Sequence, residues 1–147
     1  MDYINPPQCI SPNETLGRGV FDSNKVNKKG NVRPRAFLER QGEVNISVDR
    51  LDFAEPEEMA ELGDKVAVGR SVGRKVTFYG WAVIAAEYAE NNGRRVVATS
   101  LSDNPYHADI VLPDSTAENR DEQIRHAQEL ADASRWRERP NFTKTDE

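Results

Sequence analysis

The chain has 147 residues, a formal net charge of -5, one cysteine, 37% hydrophobic residues and 31% charged residues. That length suits one domain with a sizeable core. No run approaches the ~18 consecutive apolar residues of a membrane span, and lone Cys9 excludes an internal disulfide or a cysteine-rich zinc site. The first residues lack the basic-then-apolar pattern of a secretory signal, so a cytoplasmic location is expected.

Charge is unevenly spread. Residues 24–40 carry Lys25, Lys28, Lys29, Arg33, Arg35 and Arg40 against Glu39, whereas residues 49–64 carry seven acids against Arg50. Such neighbours can pair within the chain or form an anion-binding loop beside a solvated helix. The overall acidity argues against nucleic acid as a partner, because phosphate binding needs a broad basic face.

Residues 1–15, with Pro6, Pro7 and Pro12, read as an extended or loosely held arm. Residues 16–139 then form a single domain and 140–147 a flexible tail. "LGRGVF" (16–21) is a short strand and "DSNKVNKKGNVRPR" (22–35) a polar basic loop. "AFLER" fits a strand or a helical turn. "EVNISVDRL" (43–51) alternates, with Val44, Ile46, Val48 and Arg50 on one face and Asn45, Ser47 and Asp49 on the other.

Residues 55–69 read as a helix begun by Pro56 and ended by Gly69, with Met59, Leu62 and Val66 as its apolar row and Gly63 weakening it. Residues 76–100 fit two readings. In one, a strand through Ala82, Ile84 and Ala86 turns at Asn92-Gly93 into "RRVVATS" as a hairpin. In the other, Trp81, Ile84, Ala85 and Tyr88 form one helix face; the turn signal favours the hairpin.

"HADIVLP" (107–113) is a strand stopped by Pro113, returning antiparallel after a short connection. A long helix follows, capped by Asp114 or by a Ser115/Glu118 capping box. Its apolar row is Ala117, Ile124, Ala127, Leu130 and Ala131. Arg135, Arg137 and Arg139 sit at its negative end, and Pro140 stops it. The expected architecture is α+β: a small, mostly antiparallel sheet of about five strands, packed by the long C-terminal helix and one shorter helix.

Chemistry concentrates weakly. His107 and Asp109 share one strand face, ~7 Å apart along the strand. His107 is a candidate acid or base beside a carboxylate, and Ser47 a candidate nucleophile without the Gly-x-Ser-x-Gly elbow. A wet strand end with an edge charge is the plain structural alternative. A His107, Asp109, Glu122 and His126 metal set lacks compact ligand spacing, so no metal and no cofactor is expected. Glu122 and His126 read better as a solvated helix pair.

The dipeptide Gly-Arg recurs at 17–18, 69–70, 73–74 and 93–94. Glycine admits close backbone approach and arginine grips anions in two-pronged fashion, so Arg18, Arg70 and Arg74 are candidate ligand-binding residues. Tyr106 joins them, and with Tyr79, Trp81 and Tyr88 it could stack a base.

Arg18 on a first strand, Ser47 on a later one and Glu87 downstream loosely resemble the ADP-ribosyltransferase superfamily. The resemblance implies that Arg18 grips a dinucleotide, Ser47 supports it and Glu87 acts in catalysis. The leading expectation is a binding or accessory module for a partner protein or a small anionic ligand. The alternative is an enzyme acting on a nucleotide or nucleic-acid phosphate, ADP-ribosyltransferase-like or a hydrolase, using Arg18 and His107.

Overall fold

The computed structural model describes residues 6–27 and 29–140. Its strands are β1 (Thr15–Val20), β2 (Asn45–Arg50), β3 (Gly80–Ala85), β4 (Arg95–Ala98), β5 (His107–Val111) and β6 (Arg135–Glu138). They form one antiparallel sheet in the order β4-β5-β2-β1-β3-β6. Helices α1 (Pro56–Arg70), α2 (Ala86–Ala89) and α3 (Arg120–Asp132) complete the α+β fold. The sheet has one strand more than the sequence suggested.

Where one face of a strand meets water, alternation is legible. In β2, Ile46, Val48 and Arg50 are buried while Asn45 and Ser47 are exposed; in β5, Ala108 and Ile110 are buried between half-buried neighbours. The buried sides of these strands join Leu16, Ala82 and Ile84 under Ala127, Leu130 and Ala131 of α3 and Phe37 of the 3-10 turn Pro34–Phe37. That turn resolves the "AFLER" ambiguity. The buried amide of Gln123 clasps the following loop by donating to the carbonyls of Glu39, Arg40 and Glu43.

The opposite side of β1 and β3 packs against α1, in a cluster of Trp81, Val83, Met59, Ala60, Ala67, Phe78, Leu51 and Tyr106. Small residues permit this contact. A Cβ at Gly63 would lie 2.7 Å from the Phe78 ring, and one at Gly17 would lie 2.7 Å from Leu51 Cδ1. The buried row of α1 is therefore Met59, Ala60, Gly63 and Ala67, while Val66, expected inside, is 41% exposed. Gly63, which weakens α1 locally, is what lets the helix reach the sheet.

Two expectations are corrected. Residues 80–91 are neither one strand nor one helix but β3 followed by α2, and β3 does not pair with β4. A strand covered on both faces reads as a continuous apolar run, so its period was hidden. Asn92 and Gly93 do take positive φ, 58° and 84°, but their turn sends the chain to the far edge of the sheet.

The last helix is also shorter than expected. Residues 114–118 form a 3-10 turn, and Asn119 caps α3 by accepting from the Glu122 N–H at 3.2 Å. The chain leaves the helix after Asp132 and pairs β6 with β3, setting Trp136 opposite Ala82. The apolar row fades after Ala131, and the Arg-Trp-Arg-Glu alternation suits a half-buried edge strand.

Arg50 also anchors the N-terminal arm. Its described residues, 6–14, are held by Arg50, which is 1% exposed. The Arg50 guanidinium bonds both oxygens of buried Glu14, at 2.5 and 3.1 Å, and the carbonyls of Pro7 and Cys9. Five donors in a fixed fork can satisfy several acceptors that the sheet leaves unpaired. Residues 1–5 and most of the expected tail lie outside the described residues.

Candidate functional site

α1 covers the β1–β3 half of its face and leaves a polar strip over β2, β5 and β4. The antiparallel register arranges that strip in rows. Asp49 lies opposite His107, whose carbonyl in turn accepts from the Thr99 N–H at 3.1 Å. Ser47 lies opposite Asp109, and Asp109 opposite Val97. Directly opposed residues hold their Cβ atoms about 4.5–5.5 Å apart. The structure therefore brings the expected His107, Asp109 and Ser47 onto one surface and adds Asp49.

The ring of His107 is held by Thr99. Its Nδ1 is 2.9 Å from Thr99 Oγ1 and 3.1 Å from the Thr99 carbonyl oxygen. A carbonyl only accepts, so Nδ1 donates to it. Asp49 accepts from Asn104 Nδ2 at 2.9 Å. Burial pushes its carboxyl pKa up, an effect that the Asn104 hydrogen bond and nearby His107 reduce. An acceptor-rich strip of this kind can take a proton or a hydrogen-bond donor.

Arg18 does not belong to this strip. In the β1–β3 ladder it pairs with buried Ala82, on the face that α3 covers. Its guanidinium donates to the carbonyls of Ala36 and Ser47, both at 2.9 Å, and to Glu39 Oε2 at 2.6 Å. The β1–β2 register is recorded only at Leu16↔Arg50 and Gly17↔Asp49. Arg18 thus satisfies a strand carbonyl just where that ladder stops.

A second cluster forms around Arg18. Burial, then the Arg18 charge, lowers the pKa of both Lys25 and Arg70, and Arg70 also lowers that of Lys25. Asp22 and Glu39 partly offset this for Lys25, and Glu39 for Arg70. The Arg70 guanidinium stands 4.5 Å from the centre of the Phe21 ring. The charge of Arg18 thus acts on Arg70, another of the expected ligand-binding arginines, and on Lys25, which sequence reading did not single out. Arg74 lies in the exposed turn after α1.

Tyr106 is not a surface contact. It is 6% exposed, packs beneath α1 and donates its hydroxyl to Glu58 at 2.9 Å. Trp81 is also buried, whereas Tyr79 and Tyr88 are 39% and 51% exposed. Glu87, required on a strand by the superfamily resemblance, is on α2.

The imagined metal set is divided. His107 is on the open strip, while His126 and Glu122 are on α3, across the sheet. Among the described residues no three His, Cys, Asp or Glu side chains gather closely enough to hold a metal ion. His126 is no solvated partner of Glu122. It is 2% exposed, its Nδ1 is 2.8 Å from the guanidinium of buried Arg94, and Glu122 pairs with Arg125. Arginine only donates, so Nδ1 accepts and the ring is neutral; burial, then Arg94, lowers its pKa. Arg94 also reaches the carbonyls of Ala89 and Tyr88 and the carboxylate of Glu129.

No helix among the described residues is long and apolar enough to cross a membrane. Comparison with protein-family models, with characterised proteins and with solved structures gives no match.

Proposed function

We propose that this chain is a binding module for a small anion of the phosphate or carboxylate class. The ligand sits where β1, the 3-10 turn Ser23–Lys25 and the last turn of α1 meet. The observation that carries the reading is Arg18, ion-paired with Glu39 at 2.6 Å, whose charge lowers the pKa of both Lys25 and Arg70. An arriving anion relieves the repulsion that Arg18 exerts on Lys25 and Arg70. Arg70 is positioned for the task by its stacking on Phe21, and Arg18 by its three protein acceptors.

The separation of Arg18 from His107 supports binding over catalysis. A phosphate-processing enzyme would need its anion clamp and its base at one substrate, and here they leave opposite faces of the sheet.

Thermal unfolding with inorganic phosphate, pyrophosphate and citrate at low ionic strength tests this reading. The expected result is a saturable rise in Tm that disappears in the double variant K25Q/R70Q. That variant should unfold at a higher temperature than the parent without anion, because the repulsion is gone. Equal responses of parent and variant to every anion would overturn the proposal.

A further inference from the structure

The two edges of the sheet are finished differently. Along β4, the Val96 N–H faces the carboxylate of Glu90, with Oε2 at 3.4 Å. A side chain of the protein therefore covers part of that edge. Among the described residues, β6 has only β3 as a neighbour in the sheet. Every second N–H and C=O along such a strand faces outward, which is a template for another strand.

The side chains of β6 sort by face. Arg135 and Arg137 pair with Val83 and Trp81, on the α1 side, and their own side chains are exposed. Neither makes a recorded ion pair among the described residues, whereas Arg139 bonds Asp64 at 2.6 Å. On the other face Trp136 is half-buried and lines a cleft of about 450 Å³ with Gly30, Asn31, Val32, Asp132 and Ser134.

A second copy of the chain is the wrong occupant. Two antiparallel edge strands in a continuous sheet are related by a twofold axis perpendicular to it. Opposed residues then share a face, so Arg135 and Arg137 of one copy meet the same arginines of the other. Like charges directly opposite are destabilising. The same spacing suits carboxylates at alternate positions of an extended chain, where arginine binds in two-pronged fashion.

We infer that β6 is a docking strand for an extended acidic segment of another protein. Its acidic side chains meet Arg135 and Arg137, and an intervening apolar side chain enters the cleft beside Trp136. Main-chain hydrogen bonds supply affinity, and the two faces supply selectivity.

NMR titration of the full chain with a short peptide alternating glutamate and valine tests this, with the lysine–valine peptide as control. The glutamate peptide should shift the amides of residues 135–138 and of Asn31, Val32 and Ser134, and the lysine peptide should not. R135E/R137E should weaken the glutamate peptide at least about tenfold and gain affinity for the lysine peptide. R135Q/R137Q should weaken the first without gaining the second. Both arginine side chains are exposed, so an unchanged Tm certifies the fold.

No saturable shift, shifts centred on β4 or around Lys25, or equal binding by parent and charge-reversed variant would each overturn the inference. K25Q/R70Q should bind the peptide as the parent does, which separates this result from the fate of the anion site.

Discussion

The face of the sheet beneath α3 and the face shared by α1 and the polar strip use arginine and histidine in opposite ways. Beneath α3, nearly every polar group is tied down: Arg50 to Glu14, Arg18 to two carbonyls and Glu39, and Arg94 to His126, Glu129 and two carbonyls. On the strip, His107 Nε2 and the carboxylate of Asp109 have no recorded hydrogen bond among the described residues. Tied groups specify structure, because a buried donor or acceptor left unpaired costs about 1–3 kcal/mol. Untied groups at a half-covered surface remain available for chemistry or contact.

The comparison can be broken most strongly at Arg50. Arg50→Met leaves Glu14 as a buried unpaired carboxylate and frees the carbonyls of Pro7 and Cys9, so a loss of about 3–5 kcal/mol is expected. Urea unfolding measures it, and hydrogen exchange should show residues 6–14 losing protection first.

Gly63→Val comes next. Its side chain must enter the space of the Phe78 ring. A cost of about 1–3 kcal/mol from overpacking is expected, despite valine's better helix propensity. A more stable variant by urea unfolding would mean that α1 is not held against Phe78.

The pH response sharpens the contrast further. His126 has a lowered pKa when folded, so the unfolded chain binds a proton more readily near its ordinary value of 6.5. Stability from neutral His126 is present above that value and is lost as pH falls through the folded pKa. His126→Gln keeps an acceptor for Arg94 and should flatten this acid loss in unfolding measured from pH 7 to pH 5.

Asp49 has the opposite sign. Its pKa is raised above 3.8, so its contribution favours the fold below that value and is lost as pH rises through the folded pKa. Asp49→Asn keeps the acceptor for Asn104 and should raise Tm at neutral pH. A lower Tm would show that the carboxylate is needed for structure.

The smallest effect belongs to the open strip itself. Ser47→Ala is expected to stay within about 0.5 kcal/mol of the parent in urea unfolding, since its side chain is exposed and makes no recorded bond.

The candidate sites were legible to different degrees. Alternation in "NISVDR" and "HADIV" placed Ser47, Asp49, His107 and Asp109 on outward faces, but only register could set Asp49 opposite His107. Residues so far apart in sequence carry no mutual periodicity. The Gly-Arg dipeptides drew attention to Arg18 and Arg70, yet Arg94 shares that dipeptide and is buried. Nothing local distinguishes an arginine that will meet solvent from one that will meet four acceptors. Lys25 lay in a run of similar cations, and only the approach of β1 and α1 singled it out.

From the sequence by itself came the α+β class, the half-exposed strands β2 and β5, a helix over most of α1 and the buried Ala127, Leu130 and Ala131 of α3, though not Ile124, which is 44% exposed. These follow from local periodicity and helix-end chemistry, which neighbouring residues carry among themselves. Tertiary structure alone decided the rest. β3 became a strand because two faces of cover hide its period, and β6 became a strand because β3 offered an unpaired edge. The arm closed because buried Arg50 and Glu14 require each other. Strand order, register and the pairing of distant charges depend on contacts between remote segments, whose free energy exists only once the chain has brought them together.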